Sequence, residues 1–225
     1  MNECAIPLLG ARLLPLPSGA LHWPERGLLA VSDLHLGKSG RIARRGGTLL
    51  PPYETRDTLA RLAADLDRTG ARNVVCLGDS FDDCAAAGAL AEEDRLWIAR
   101  LQAGRRWVWI EGNHDPGPIG LGGSHRAALT EGPLTFRHIA EPGAIGEISG
   151  HYHPKAEIRA RGRSVTRPCF LYDAARLVMP AYGTYTGGLR WTDPALRSLF
   201  DATAFAALTG DPVRQVPAPK PADAA

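Results

Sequence analysis

The chain has 225 residues, 44% hydrophobic and 22% charged, which is ordinary for a folded protein and enough for one substantial core. A formal charge of +2 is too small to announce a nucleic-acid binder, and no apolar stretch approaches the ~20 residues a membrane span requires. Cys4, Cys76, Cys84 and Cys169 are scattered without a C-x-x-C pair, so neither a zinc knuckle nor a dithiol redox motif is indicated. With no signal peptide in view, a cytoplasmic protein with reduced thiols is the expectation. The basic residues are nearly all arginine, with Lys38, Lys155 and Lys220 the only lysines. Arginine suits bidentate phosphate contacts, although a codon bias would leave the same composition.

In chain order, Ile6 to Leu29 carries apolar pieces broken by Pro15, Pro17, Ser18-Gly19 and Pro24, and reads as short strands joined by a turn. Gly27 to Ser32 is a continuous apolar run, as in a strand buried on both faces, and it ends at Asp33. From Pro52 to Thr69 the recurrence of Leu59, Leu62, Ala63 and Leu66 predicts a helix, with Gly70 as its cap. A second buried strand, Asn73 to Leu77, runs into Gly78-Asp79. A helix over Ala86 to Gln102 is predicted next, with Leu90, Leu96, Trp97 and Leu101 on its apolar side. A third strand, Trp107 to Ile110, leads to Gly112-Asn113-His114-Asp115.

After Gly122 the short Gly- and Pro-dense segments read as β structure, with candidates at Leu134–His138, Gly146–Ser149, Ala156–Arg161 and Arg176–Pro180. The Pro/Ala-rich tail, 210–225, is expected to be disordered, leaving 1–209 as a single domain. The order βαβαβ followed by a β-rich half predicts an α/β fold in which two sheets pack together with helices outside. Ligands of such sheets gather beyond the carboxyl ends of the strands, where Asp33, Asp79 and Asn113 all fall.

Those strand ends carry the chemistry. Asp33 and His35 lie two apart just past a strand, so both could reach one cation, although a lone D-x-H is more often a capped turn. Asp79 follows a glycine that permits a sharp turn, and its two oxygens could bridge two cations. Asn113 offers a carbonyl oxygen. His114 could protonate a leaving oxygen, with Asp115 orienting its ring and raising its pKa. In Gly150-His151-Tyr152-His153 the two imidazoles flank an outward Tyr152 and could serve neighbouring cations. His138 is the last candidate. Each alone has a bland reading, as a turn residue or an exposed face; together they supply what a two-metal hydrolytic site needs.

The sequence resembles the calcineurin-like metallophosphoesterases, whose motifs run D-x-H, G-D, G-N-H-D/E, H and G-H-x-H in this order, here between about Leu28 and His153. The resemblance implies an α/β/β/α sandwich. It implies a first metal held by Asp33, His35, Asp79 and His153, and a second held by Asp79, Asn113, His138 and His151. His114 would be the catalytic acid, supported by Asp115. Two divalent cations are implied, with Mn²⁺ expected ahead of Fe²⁺ or Zn²⁺, since mixed nitrogen and oxygen ligation argues against Ca²⁺.

A narrower resemblance, to the ligase-associated DNA damage response endonucleases, rests on Arg44 to Tyr53, Cys76 to Phe81, Arg167 to Phe170 and Tyr182 to Leu189. It implies a DNA endonuclease acting in repair beside a DNA ligase, a helicase and an exonuclease. Asp82 departs from that pattern, in which histidine is expected after Phe81. Arg41, Arg44 and Arg45 could grip flanking phosphates, and Arg159, Arg161, Arg163 and Arg167 could form a second basic strip; a solvated loop explains either equally well. Tyr152 and Tyr182 could stack on an unpaired base. The alternatives are a hydrolase of a small phosphodiester, pyrophosphate or monoester, and a non-catalytic interaction module.

Overall fold

The structure is a computed structural model that describes residues 4–44, 46–47, 50–117, 120–160 and 162–220, without the side chains of Cys84, Arg159 and Ala160. The chain enters through three short antiparallel strands, β1 (Ile6–Leu8), β2 (Ala11–Pro15) and β3 (Leu21–Trp23), then β4 (Leu28–Val31). It continues as α1 (Lys38–Arg44), α2 (Glu54–Thr69), β5 (Asn73–Leu77), α3 (Cys84–Ala89), α4 (Glu92–Gln102), β6 (Arg106–Ile110) and β7 (Ser124–Arg126). These seven strands form one sheet in sequence order, with β4 to β7 parallel.

The second half supplies β8 (Ala128–Glu131), β9 (Leu134–Arg137), β10 (Glu147–Ser149), β11 (Lys155–Ala160), β12 (Arg163–Tyr172) and β13 (Arg176–Val178). The short helix α5 (Pro194–Arg197), β14 (Phe205–Leu208) and β15 (Arg214–Pro217) complete the chain. The second sheet is ordered β15-β14-β12-β13-β10-β9-β8, with β11 off this path and paired to β12. The architecture is the expected α/β/β/α sandwich.

Burial on both faces, with alternate side chains pointing to opposite sides, explains why β4 to β6 are apolar past their first residues Asn73 and Arg106. Leu28, Ala30, Val75, Leu77, Val108 and Ile110 point between the sheets and meet Leu134, Phe136, Ile148, Phe170 and Leu177. Their neighbours Leu29, Val31, Val74, Cys76, Trp107 and Trp109 face the other way, onto Leu59, Leu62 and Leu66 of α2 and Ile98 and Leu101 of α4. The outer face of the second sheet is covered by Trp191, Leu196 and Phe200. Gly70 closes α2 in the left-handed conformation at φ 63°, its amide returning to the Leu66 carbonyl.

Three expectations are corrected. The helix expected over Ala86–Gln102 is broken: Leu90 and Ala91 are extended, and α4 starts at the acidic turn Glu92-Glu93-Asp94, which suits a helix N-terminus. The restart turns Asp94, Ile98 and Leu101 inward and leaves Leu96 53% exposed instead of on the apolar side. The longest strand, β12, went unread because its outer six residues are exposed and Pro168 interrupts it. That proline sits where the strand leaves its pairing with β11 and joins β13 and β14. The end of the chain is ordered further than expected: β15 pairs along β14 and Ala218 is buried, while 221–225 lie outside the described residues. The strands β7, β8 and β14 were also not foreseen.

Candidate metal centre

The ligand loops are held by one another rather than by the helices. Past Val31 and Cys76, strands β4 and β5 stop pairing, loop through Asp33 to His35 and Gly78 to Ser80, and meet again at a bridge between Leu36 and Phe81. The Asp33 amide donates to the Gly78 carbonyl at 3.2 Å, His35 to Asp79 at 2.9 Å and Leu36 to Ser80 at 3.0 Å. From the other sheet, the Gly150 amide donates to the His138 carbonyl at 2.9 Å, and the His151 amide to Asp33 Oδ2 at 3.0 Å. A Cβ on Gly150 would overlap Ser32 Oγ and the Asp33 carboxylate, so only glycine lets the two sheets close here.

Backbone strain is concentrated at the same place. Among the described residues, seven other than glycine have positive φ, and five are Asp33, His35, Asp79, His151 and His153, at 45° to 69°. Such conformations cost on the order of 1–3 kcal/mol each and persist where surrounding structure over-determines them.

Two triads of donors without a shared residue result, Asp33, His35 and His153, and Asp79, His138 and His151, each with one ligating atom per residue inside a 4.8 Å cluster; a third group of the same size, His35, Asp82 and His114, shares His35 with the first. In the first, His153 Nε2 lies 3.0 Å from Asp33 Oδ1, yet neither atom makes a well-directed hydrogen bond and both are buried, as is His35 Nε2. Buried, unpartnered donors aimed at one spot are costly unless something satisfies them, and a divalent cation would. In the second, His138 Nε2 is 3.4 Å from Asp79 Oδ2 and 2.9 Å from Asn113 Oδ1, while its Nδ1 sits 2.9 Å from the Leu77 carbonyl. The triads adjoin, with Asp33 Oδ1 3.9 Å from His138 Nδ1. All seven expected ligands are thus brought together.

The electrostatics follow from that crowding. Burial would raise the Asp33 carboxyl, but His153, His138 and the Ser32 hydroxyl at 2.5 Å hold it below its ordinary value. Asp79 is likewise opposed by burial, yet His138, the His114 amide and the His114 charge bring it down to about 2. His138 is raised, because the Asp79 and Asp33 carboxylates outweigh its burial, whereas burial and the His138 charge lower His151. The lowered carboxylates and the lowered His151 leave lone pairs open to a cation, and the raised His138 shows that the two carboxylates favour positive charge at this place.

His114 stands at the rim, its side chain 37% exposed and Nε2 3.9 Å from Asp79 Oδ2. Asp115 was expected to orient this ring, but its oxygens accept from the amides of Ser80 at 2.8 Å, Phe81 at 3.1 Å and Gly112 at 3.1 Å. It clamps the two ligand loops together, and burial followed by the Asp79 charge raises it to about 6 despite those amides. The His114 ring is anchored elsewhere, Nδ1 lying 2.9 Å from the Asp82 carbonyl.

The expected substrate contacts fare differently. Arg41 does not point outward: its Nε is in close contact with the buried Asp82 carboxylate. Arg44 is exposed and pairs with Asp83 at 3.2 Å; Arg45 lies outside the described residues, as does Arg161. Arg163 and Arg167 are exposed on β12. Tyr152 is half-buried with its ring 5.1 Å from that of His151. Tyr182 cannot stack on a base, being buried with its hydroxyl on Asp65 at 2.9 Å and the Arg61 guanidinium 5.0 Å over its ring. The residue that sequence reasoning undervalued is Asp82, visible only as a departure from a motif.

Residues 28–168 match the calcineurin-like phosphoesterase family, and the chain belongs to it. It is therefore a metal-dependent phosphoester hydrolase by family, on the fold that family implies. Among solved structures it is similar to a nuclease MPE of Pseudomonas putida, at 28% identity and a TM-score of 0.73, over 96% of this chain and 100% of that one. No curated protein matches the sequence. Among the described residues, no helix is long and apolar enough to cross a membrane.

Proposed function

We propose that the protein is a dinuclear phosphodiesterase acting on DNA as an endonuclease. The observation that carries the dinuclear reading is the pair of adjoining Asp/His triads, the first of them with buried donor atoms that make no well-directed hydrogen bond. Asp33, His35, Asp79 and His153 would hold one divalent cation and Asp79, Asn113, His138 and His151 the other; the mixed donor set suits Mn²⁺, Fe²⁺ or Zn²⁺, and Mn²⁺ is the expected ion. When bound, the pair would supply charge neutralisation at the phosphoryl oxygens and a more acidic water.

The chain's own residues do the rest. Asp79, anionic down to about pH 2, is the carboxylate common to both positions. His114, exposed on one edge and held at Nδ1 by the Asp82 carbonyl, can donate a proton from Nε2 to a departing sugar oxygen. Asp115 keeps the Gly112 and Ser80 backbones in place, and so positions Asn113 and Asp79.

The similar Pseudomonas structure is a nuclease, which supports a nucleic-acid substrate here, and the arginines of β12 add cationic surface beside the last motif. A cytoplasmic role in DNA repair with a ligase, helicase and exonuclease belongs to the proposal through the motif resemblance alone. The test is an assay with Mn²⁺ on circular single-stranded DNA beside a small phosphodiester. Linearisation of the closed circle is expected. Turnover of the small ester with intact circles would assign the site to small substrates.

A further inference from the structure

We propose that Asp82 is a positioning residue for the first cation position: its carboxylate holds His35 through Nδ1, so that Nε2 faces the cation. The inference rests on the dinuclear reading above and names a residue outside both sets of ligands.

Asp82 is fully buried, and its Oδ1 lies 2.9 Å from His35 Nδ1. A buried carboxylate without charge compensation would cost several kcal/mol, so its partners matter. Lys38 Nζ is 3.7 Å from Oδ1 and the Arg41 guanidinium contacts Oδ2, both reaching in from the first turns of α1. The anion is thus stabilised by two cations and presents Oδ1, which Lys38 shares, to the histidine. Neither nitrogen of His35 makes a well-directed hydrogen bond in the protein. The 2.9 Å approach nonetheless decides which one carries the proton, since a carboxylate oxygen only accepts.

The contact is fixed by the backbone. The Asp82 amide donates to the Leu36 carbonyl at 3.1 Å, immediately past the bridge between Leu36 and Phe81. Residue 82 is therefore locked to residue 36, next to His35, whatever the side chains do. The same residue's carbonyl holds His114 Nδ1, so one position orients both a ligand and the proposed acid, by side chain and main chain respectively. Only the side-chain role is open to substitution, which separates the two experimentally. Partners of this kind fix tautomer and ring angle, and losing one typically lowers metal affinity ~10–100-fold.

The experiment is Mn²⁺ titration of the purified, metal-stripped protein by calorimetry, comparing wild type, Asp82→Asn and Asp82→Leu. His153→Ala marks which binding class belongs to the first position. Asp82→Leu is expected to weaken that class ~10–100-fold while leaving the other within about threefold, and Asp82→Asn, which keeps an acceptor oxygen, to fall between. Melting of each metal-free variant is recorded alongside, because a purely structural role would lower the melting temperature and leave both affinities of the folded protein unchanged.

Should the leucine variant not fold, histidine ¹⁵N spectra of metal-free wild type give the answer directly. Neutral His35 is expected to carry its proton on Nδ1; a proton on Nε2 would overturn the proposal. Two wild-type affinities in Asp82→Asn and Asp82→Leu would overturn it too and leave the dinuclear reading standing. A wild type that binds no Mn²⁺ would overturn both.

Discussion

The two donor clusters are alike at their centres and differ in what stands behind them. Behind Asp33, His35 and His153 is an anion, the buried Asp82, balanced by Lys38 and Arg41. Behind Asp79, His138 and His151 the support is neutral, the Leu77 carbonyl at His138 Nδ1. The two clusters are buried alike, each with two buried donors and one half-buried histidine, so the difference between them lies in their supports. A ligand histidine backed by a carboxylate is the stronger base. The comparison teaches that similar ligands need not mean similar affinity, and the first position is expected to hold its cation more tightly.

The largest test breaks the link between the clusters. Asp79→Asn is expected to reduce hydrolysis of an aryl phosphodiester by more than the roughly 100-fold that an outer-shell loss costs, with the melting temperature little changed. Near-normal turnover would remove Asp79 from its bridging place. Next, His114→Ala should slow esters with alkoxide leaving groups by about 10²–10⁴-fold and nitrophenyl esters far less, with Mn²⁺ affinity unaltered. An equal loss on every ester, followed by initial rates, would contradict an acid role.

A smaller effect sharpens the difference in construction. Gly150→Ala drives a methyl group into Ser32 and Asp33, and should destabilise the protein by about 1–3 kcal/mol in denaturant melts. It should weaken the first cation class more than the second in the same Mn²⁺ titration. The smallest effect lies outside both clusters: replacing Arg163 and Arg167 together by Ala should reduce the salt slope of DNA binding by up to ~1.8, at ~0.9 per phosphate contact. An unchanged slope in anisotropy titrations would place DNA away from β12.

The clustered Asp, Asn and His side chains were legible because each motif sits at the end of an apolar run and carries residue types that loops seldom need in that order. Asp33, Asp79 and Asn113 could be placed at strand ends from hydrophobicity alone. The supports were not, since nothing in one dimension shows that Asp115 would meet the amides of Ser80 and Phe81, or that Arg41 would turn inward to Asp82. The helix break at Leu90 escaped because its apolar spacing runs on across it, and only the acidic triplet from Glu92 marks the restart. Strand β12 escaped because half of it is a solvated ribbon without an apolar face. The positive-φ conformations at five of the proposed ligands accompany closure between two sheets, which no local pattern encodes.

The central claim is that these two clusters hold two cations side by side. Anomalous diffraction from crystals soaked in Mn²⁺ tests it most directly. Two peaks are expected, one among Asp33, His35 and His153 and one among Asp79, His138 and His151, with Asp79 reaching both and the first peak surviving the lower Mn²⁺ concentration. A single peak, or none between those side chains at saturating Mn²⁺, would contradict the account.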